Sequence, residues 1–364
     1  MVRIAAAIEQ FWHPVPGGTA TAIGELMGHV ARVDPSVEFV GITAWHRRPP
    51  TIAAPLVPIV QQRLPRRAMY GAWSTIRWPH VERRTGAVDV VHATSLAIAP
   101  TRAPLVVTVH DLAFLRYPGH ASRRGQAFFE RSWQITKDEA TIIVCPSQAT
   151  VQHCIDEGVS PERLRVVPWG SSRSMALAAD VERVARTYDL PDRFVLFVGT
   201  IEPRKNLDRL IKALATLTQQ RIPLVLVGPT GWGDSLATTI EQSGLDIRRL
   251  GFVPEADLSP LYRAATLMAY PSLMEGFGLP VLDAMTQATP VVTSAGTSTE
   301  ELVGQGGICV DPQSVTSIAD GLRQVLEDTD LAQHLGHKGA EQATKYTWER
   351  SAQAMIDVYE EAVR

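Results

Sequence analysis

The sequence predicts an α/β protein made of two doubly wound parallel-sheet domains. Three observations carry that prediction: short apolar runs alternate with helical segments in two successive series, the chain is too long for one compact core, and a stretch of helix-stopping residues separates the series. The first series occupies residues 3–8, 38–43, 88–91, 105–109, 141–145 and 164–167. The second occupies residues 194–198, 224–227, 247–252, 266–270, 290–293 and 307–310. Most of the runs are short and almost continuously apolar, as expected for strands buried on both faces by crossover helices.

At 364 residues, the chain fits about two domains of 100 to 200 residues each. Between the series, Pro168-Trp169-Gly170-Ser171-Ser172-Arg173-Ser174 combines breakers with small polar residues and marks a hinge near 168–178. Domain spans of 1–172 and 173–345 follow. Ligands of open α/β sheets bind beyond the carboxyl ends of the strands, so chemistry is expected in a cleft between two such domains. No internal repeat or low-complexity tract competes with this organisation.

Composition narrows the function. An apolar share of 45 % supports sizeable cores, and a net charge of −3 gives none of the basic field of a dedicated nucleic-acid binder. Cys145, Cys154 and Cys309 lack disulfide or metal-type spacing, which fits reduced, buried thiols and a cytoplasmic setting. The first strand is too brief for a secretory core, and no apolar run of membrane-spanning length occurs. Arg63, Arg66, Arg67, Arg77, Arg83 and Arg84 interleave with Tyr70, Trp73 and Trp78; this segment reads either as a helix with its aromatics packed inward or as a peripheral contact to an anionic membrane face.

The loops at strand ends carry the chemistry. In Tyr270-Pro271-Ser272-Leu273-Met274-Glu275-Gly276-Phe277-Gly278-Leu279-Pro280-Val281-Leu282-Asp283, two carboxylates stand eight residues apart across a strand-to-helix turn. Pro280 suits the first helical turn, Glu275 falls in the loop, and Gly276 and Gly278 remove β-carbons where a ligand would approach. In Gly199-Thr200-Ile201-Glu202-Pro203-Arg204-Lys205-Asn206, two adjacent cations precede a helix whose positive end prefers anions, a tension that a bound phosphate would resolve. In the first half, Pro14-Val15-Pro16-Gly17-Gly18 opens a helix without a full dinucleotide fingerprint or a P-loop, and His92 and His110 close neighbouring strands. No ligand cluster supports a metal site.

Taken together, the Arg204-Lys205 motif, Gly251-Phe252-Val253 with Leu261-Tyr262-Arg263-Ala264-Ala265, and the Glu275-Gly276-Phe277-Gly278-Leu279-Pro280 run resemble retaining glycosyltransferase family 4, with bacterial mannosyltransferase-like members nearest in motif. Val109-His110-Asp111-Leu112, Tyr117-Pro118-Gly119 and Pro146-Ser147 extend the resemblance into the first half, and Tyr346-Thr347-Trp348-Glu349-Arg350 resembles the start of the family's terminal helix. The resemblance implies a GT-B fold of two Rossmann-like domains facing a cleft, with helix 346–364 crossing back onto the N-terminal, acceptor-side domain. It implies sugar transfer from a nucleotide-diphosphate donor, GDP-mannose first and a UDP-hexose second, to a glycan or lipid-linked acceptor, without an obligatory metal. Carried over by residue, Arg204 and Lys205 neutralise the diphosphate, Glu275 binds sugar hydroxyls and Asp283 reaches the ribose. His110 lies near the transferred sugar, while Gly17, Gly18, Thr200, Phe277, Gly278 and Leu279 complete the donor contacts. Two departures stand out: Asp283 replaces the usual second glutamate, and Thr200 stands where the family often has arginine. A GT-B nucleotide-sugar 2-epimerase and a non-catalytic nucleotide-sugar binder remain alternatives, and the missing fingerprint disfavours a nicotinamide oxidoreductase.

Overall fold

The computed structural model describes residues 2–13, 17–52, 54–117, 123–219, 221–229 and 236–364. The expected loop start at Pro14 to Pro16 and the Pro118-Gly119 pair lie outside the described residues. Two compact units result: Met1–Gly170 with Thr347–Arg364, and Ser171–Tyr346.

The first unit holds a seven-stranded, all-parallel sheet in the order β3-β2-β1-β4-β5-β6-β7. Its strands are β1 (Val2–Ala7), β2 (Val37–Thr43), β3 (Ile59–Gln61), β4 (Val90–Ala93), β5 (Leu105–Thr108), β6 (Ile142–Cys145) and β7 (Leu164–Val166). Central β1 pairs on both sides, Ile4 against Phe39 and Val90, and Ile4, Ala5 and Ala6 are fully buried. Only β3 escaped the sequence pattern. It is an edge strand of only three residues, too short to leave a readable run.

The C-terminal helix Trp348–Val363 belongs to this unit. Thr347 caps it by accepting from the Arg350 N–H, and Trp348, Met355 and Tyr359 are buried along one face. Tyr359 meets His92 edge-on, and Trp348 stacks with His29 from the helix Gly17–Val33. Gly170 is required where this helix begins: a Cβ there would lie 2.2 Å from the Trp348 nitrogen.

The second unit holds six parallel strands in the order β10-β9-β8-β11-β12-β13. They are β8 (Val195–Val198), β9 (Leu224–Val227), β10 (Ile247–Gly251), β11 (Leu267–Tyr270), β12 (Val291–Ser294) and β13 (Gly307–Val310). In both units the first strand lies between the second and the fourth, so the winding reverses beside β1 and beside β8. Loops leaving the two strands that flank such a reversal diverge and open a crevice.

Several side chains settle questions the sequence left open. Trp73 is buried, and Arg77 pairs with Glu139 while donating to the Trp73 and Ile98 carbonyls, so much of the arginine-aromatic segment is packing. Trp78 remains exposed under the Arg83 guanidinium. Cys145 and Cys154, which sequence spacing left unrelated, are buried with their sulfurs 3.8 Å apart as free thiols. Among the described residues no helix is long and apolar enough to cross a membrane.

Candidate active site

The second unit places its charged motifs on the two strands that flank its reversal point. β8 leads through Gly199 and Thr200 into a single 3-10 turn, Pro203–Lys205, and Asn206 in the left-handed conformation then starts the helix Leu207–Thr216. Arg204 and Lys205 therefore sit ahead of the α-helix, as the sequence was read, and the 3-10 turn that carries them is what the structure adds. The Asn206 amide fixes this bend by donating to the Pro271 and Pro312 carbonyls.

From β11 the chain runs through the Glu275 loop to Gly278 and the helix Leu279–Thr286, with Pro280 in its first turn. Gly278 adopts φ +105, and a Cβ there would come within 2.7 Å of the Thr299 methyl. Backbone conformation and packing thus require this glycine before any ligand is considered. Ser298 steadies the loop by donating to the Glu275 carbonyl.

Both cations turn onto Glu275. Lys205 Nζ lies 2.7 Å from Glu275 Oε1 and 2.5 Å from the Tyr270 hydroxyl, and 4.9 Å above the Tyr270 ring. Arg204 bonds Glu275 Oε2 at 3.1 Å, Glu202 at 2.7 Å and the Met274 carbonyl at 2.8 Å. The tension expected of a basic turn is thereby resolved within the protein: two cations meet two carboxylates. Burial pushes the Glu275 carboxyl up, but Lys205 and Arg204 overrule it and hold the pKa at about 2. Burial, aided by Arg204 and opposed by Glu275, lowers the Lys205 ammonium.

Asp283 lies one helical turn into its helix, as expected, yet it is occupied. Arg173 Nε binds it at 2.7 Å and the Ser171 hydroxyl donates to it at 3.0 Å, both from the segment read only as a hinge. Burial raises its carboxyl despite Arg173 and Ser171. Ser171, Arg173, Glu202 and Tyr270 are the charged and hydroxyl partners that motif reading missed. Nothing in the order of residues marks Arg173, whereas the proximity of Glu202 to Arg204 was legible. Thr200 and Leu279 are half-buried at the mouths of their loops, and Phe277 is buried against Tyr346.

In the first unit, Gly17 and Gly18 open the helix Gly17–Val33 in exposed positions. His110, two residues beyond β5, is half-buried beside Trp169. Its Nε2 is 2.9 Å from the Thr94 carbonyl and must donate to it, which leaves Nδ1 as the acceptor nitrogen of the neutral ring. Burial keeps the ring below the ordinary histidine range, against the pull of that hydrogen bond and of Asp111. His92, read beside it as a functional candidate, is a core residue. It lies inside β4, bonds Tyr359 and Thr108, and burial drives its pKa to about 3. Among the described residues no cluster of three His, Cys, Asp or Glu could hold a metal ion.

Sequence comparison adds the family. Residues 16–171 match the model of Glycosyltransferase Family 4, and residues 180–342 match that of Glycosyl transferases group 1. The O-antigen chain mannosyltransferase B of Escherichia coli is 33% identical over 264 residues, spanning 70% of this chain and 69% of that protein. The chain belongs to glycosyltransferase family 4. It is a transferase enzyme of the GT-B class, and its fold matches solved members closely. A sucrose-phosphate synthase from Thermosynechococcus elongatus superposes with a TM-score of 0.78 at 20% identity, covering 99% of each chain. The Anabaena protein HepE in complex with UDP-glucose gives 0.76 at 20% identity, covering 99% of this chain and 100% of its own.

Proposed function

We propose that this family 4 glycosyltransferase moves mannose from GDP-mannose to a glycan or lipid-linked acceptor with retention at the anomeric carbon. The observation that carries the reading is the Arg204-Lys205-Glu275 cluster at the β8/β11 reversal point, taken with mannosyltransferase relatives. A donor diphosphate arriving there would take the two cations from Glu275, and the freed carboxylate would accept hydrogen bonds from sugar hydroxyls. The departing nucleoside diphosphate gains charge as the glycosidic bond breaks, and Arg204 and Lys205 stabilise that charge. The acceptor hydroxyl attacks from the same face, and its proton passes to the departing phosphate oxygen. Protein cations fill the electrostatic role, so transfer is expected to persist in EDTA.

His110 presents a neutral Nδ1 and is assigned a place near the transferred sugar and the β-phosphate. Asp283 and the Gly17-Gly18 helix start are assigned ribose and phosphate contacts respectively, and Thr200, Phe277, Gly278 and Leu279 line the donor. HepE carries UDP-glucose in its solved complex, which keeps a UDP-hexose as the second donor. The test is a donor-acceptor screen read by mass spectrometry, with Lys205→Ala and Glu275→Ala as controls, beside calorimetric titrations of GDP and UDP. Tighter UDP binding removes the mannose assignment. Release of free epimerised sugar would replace transfer with 2-epimerase chemistry, and a trapped glycosyl-enzyme adduct would refute the same-face displacement.

A further inference from the structure

We propose that an aromatic and arginine cradle in the first unit, built by Trp12, Trp45, His46, Arg47 and Arg48, docks a phosphate-bearing sugar that serves as the acceptor; this rests on the glycosyl-transfer reading above. These residues line a cavity of about 410 Å³. Its walls are the turn Glu9–Trp12, which follows β1, and the segment after β2, so it opens at the carboxyl ends of two neighbouring strands. That is the edge of an open parallel sheet where ligands bind.

The floor is firmly held. Glu9, only 2 % exposed, accepts from the Ala44 N–H at 2.8 Å and binds His46 Nε2 at 2.9 Å. The His46 ring lies nearly parallel to Trp12, centroids 5.0 Å apart, and Trp12 Nε1 donates to the Arg48 carbonyl at 3.0 Å. The Thr51 N–H returns the segment to the Phe11 carbonyl at 2.8 Å.

The rim is the opposite. Trp45 is 45% exposed with the Arg47 guanidinium 5.3 Å over its ring, and neither Arg47 nor Arg48 has a carboxylate partner among the described residues. Flat indole faces suit the C–H face of a pyranose, and two unpaired guanidinium forks suit phosphate oxygens. A neutral glycan would leave both forks unused, and charge complementarity selects the phosphorylated ligand.

The cradle is wired to His110 through consecutive residues. Glu9 holds His46, while Gln10 donates to the Thr94 hydroxyl at 2.9 Å, and the Thr94 carbonyl receives His110 Nε2. One short turn thus fixes the acceptor cradle and the strand-end histidine relative to each other.

Two sources present this chemistry, a soluble sugar phosphate and a polyprenyl diphosphate-linked sugar. The experiment titrates mannose 1-phosphate, and neutral phosphatidylcholine vesicles carrying a polyprenyl diphosphate-linked sugar, into the full-length protein with its donor site saturated by GDP. The Arg47→Ala/Arg48→Ala double variant and Trp45→Ala are run beside the wild type. Binding of one probe, weakened about tenfold to a hundredfold in the double variant while the GDP dissociation constant stays fixed, supports the cradle and identifies the source. In transfer assays the same variant is expected to raise the acceptor KM by that factor. The proposal is overturned if neither probe binds, if the variants bind like wild type, or if GDP affinity falls in parallel, which would put the cradle on the donor. If wild type binds the phosphorylated probe but neither GDP nor UDP, the transfer reading fails, and loss of probe binding in the double variant still establishes the cradle as a sugar-phosphate site.

Discussion

The carboxyl edges of the two sheets share a strand order and differ in how their charges are satisfied. In the second unit, Arg204 and Lys205 are matched by Glu202 and Glu275 within one buried cluster. At the edge of the first unit, the carboxylate of Glu9 is turned inward onto His46, and Arg47 and Arg48 face solvent without carboxylate partners among the described residues. The difference separates two ways of being ready for an anion. A paired cluster keeps buried cations charged and oriented but must exchange a carboxylate for a phosphate; an unpaired rim exchanges only water. Removing one member should therefore disturb folding in the second unit and affect ligand affinity alone in the first.

The largest effect expected is catalytic. Lys205→Ala should lower kcat/KM by about a hundredfold to a thousandfold, the usual consequence of losing one preorganised charge-stabilising donor. A variant within threefold of wild type would make the cluster purely structural and dissolve the comparison. Next comes stability. Glu275→Ala leaves buried Lys205 without its carboxylate and half-buried Arg204 with Glu202 as its carboxylate, and should cost about 3 kcal/mol in urea unfolding, while Arg47→Ala should stay within roughly 0.5 kcal/mol. Equal losses in both would show that exposure does not set the difference.

Acid should then separate the units in order. His92 has a folded pKa of about 3, below the ordinary 6.5, so the folded state prefers the neutral ring and stability falls as pH drops below 6.5 toward 3. Glu275 has its folded pKa depressed to about 2, so its contribution is complete above the ordinary 4.5 and is lost only as pH falls from there toward 2. Hydrogen exchange at pH 7 and pH 5 should show β4 and β5 losing protection while β8 and β11 hold. The reverse order would overturn this assignment of the acid-sensitive groups. The smallest effect is at Asp283. Its Asn variant keeps the Ser171 contact, and nucleoside-diphosphate affinity should fall by roughly threefold to tenfold, about 1 kcal/mol. Asp283→Glu restores the family's usual length, and calorimetry that finds no change in either variant would remove the ribose role.

Among the described residues, twelve of the thirteen strands fall on runs read from the sequence, most of them because a strand buried on both faces writes itself as a short apolar run; three-residue, exposed β3 did not. The site motifs were legible for a similar reason: glycine, proline and charge at a strand-to-helix turn are local requirements. His92 was misread because a histidine near a strand end looks the same whether it faces solvent or, as here, the Tyr359 hydroxyl 267 residues away. Arg173 was missed because a hinge arginine carries no local mark of its partner.

By itself, then, the sequence determined the two parallel sheets, the break between them and the identity of the residues at the strand ends, since each depends on neighbours a few positions apart. Only the tertiary structure decided who pairs with whom. Lys205 meets Glu275 across 70 residues and Arg173 meets Asp283 because β8 and β11 lie side by side and the entering segment Ser171–Arg173 packs on the following helix. Whether a cation is quenched by its own protein or left for a ligand is a matter of distance and desolvation, and those are properties of the packed chain.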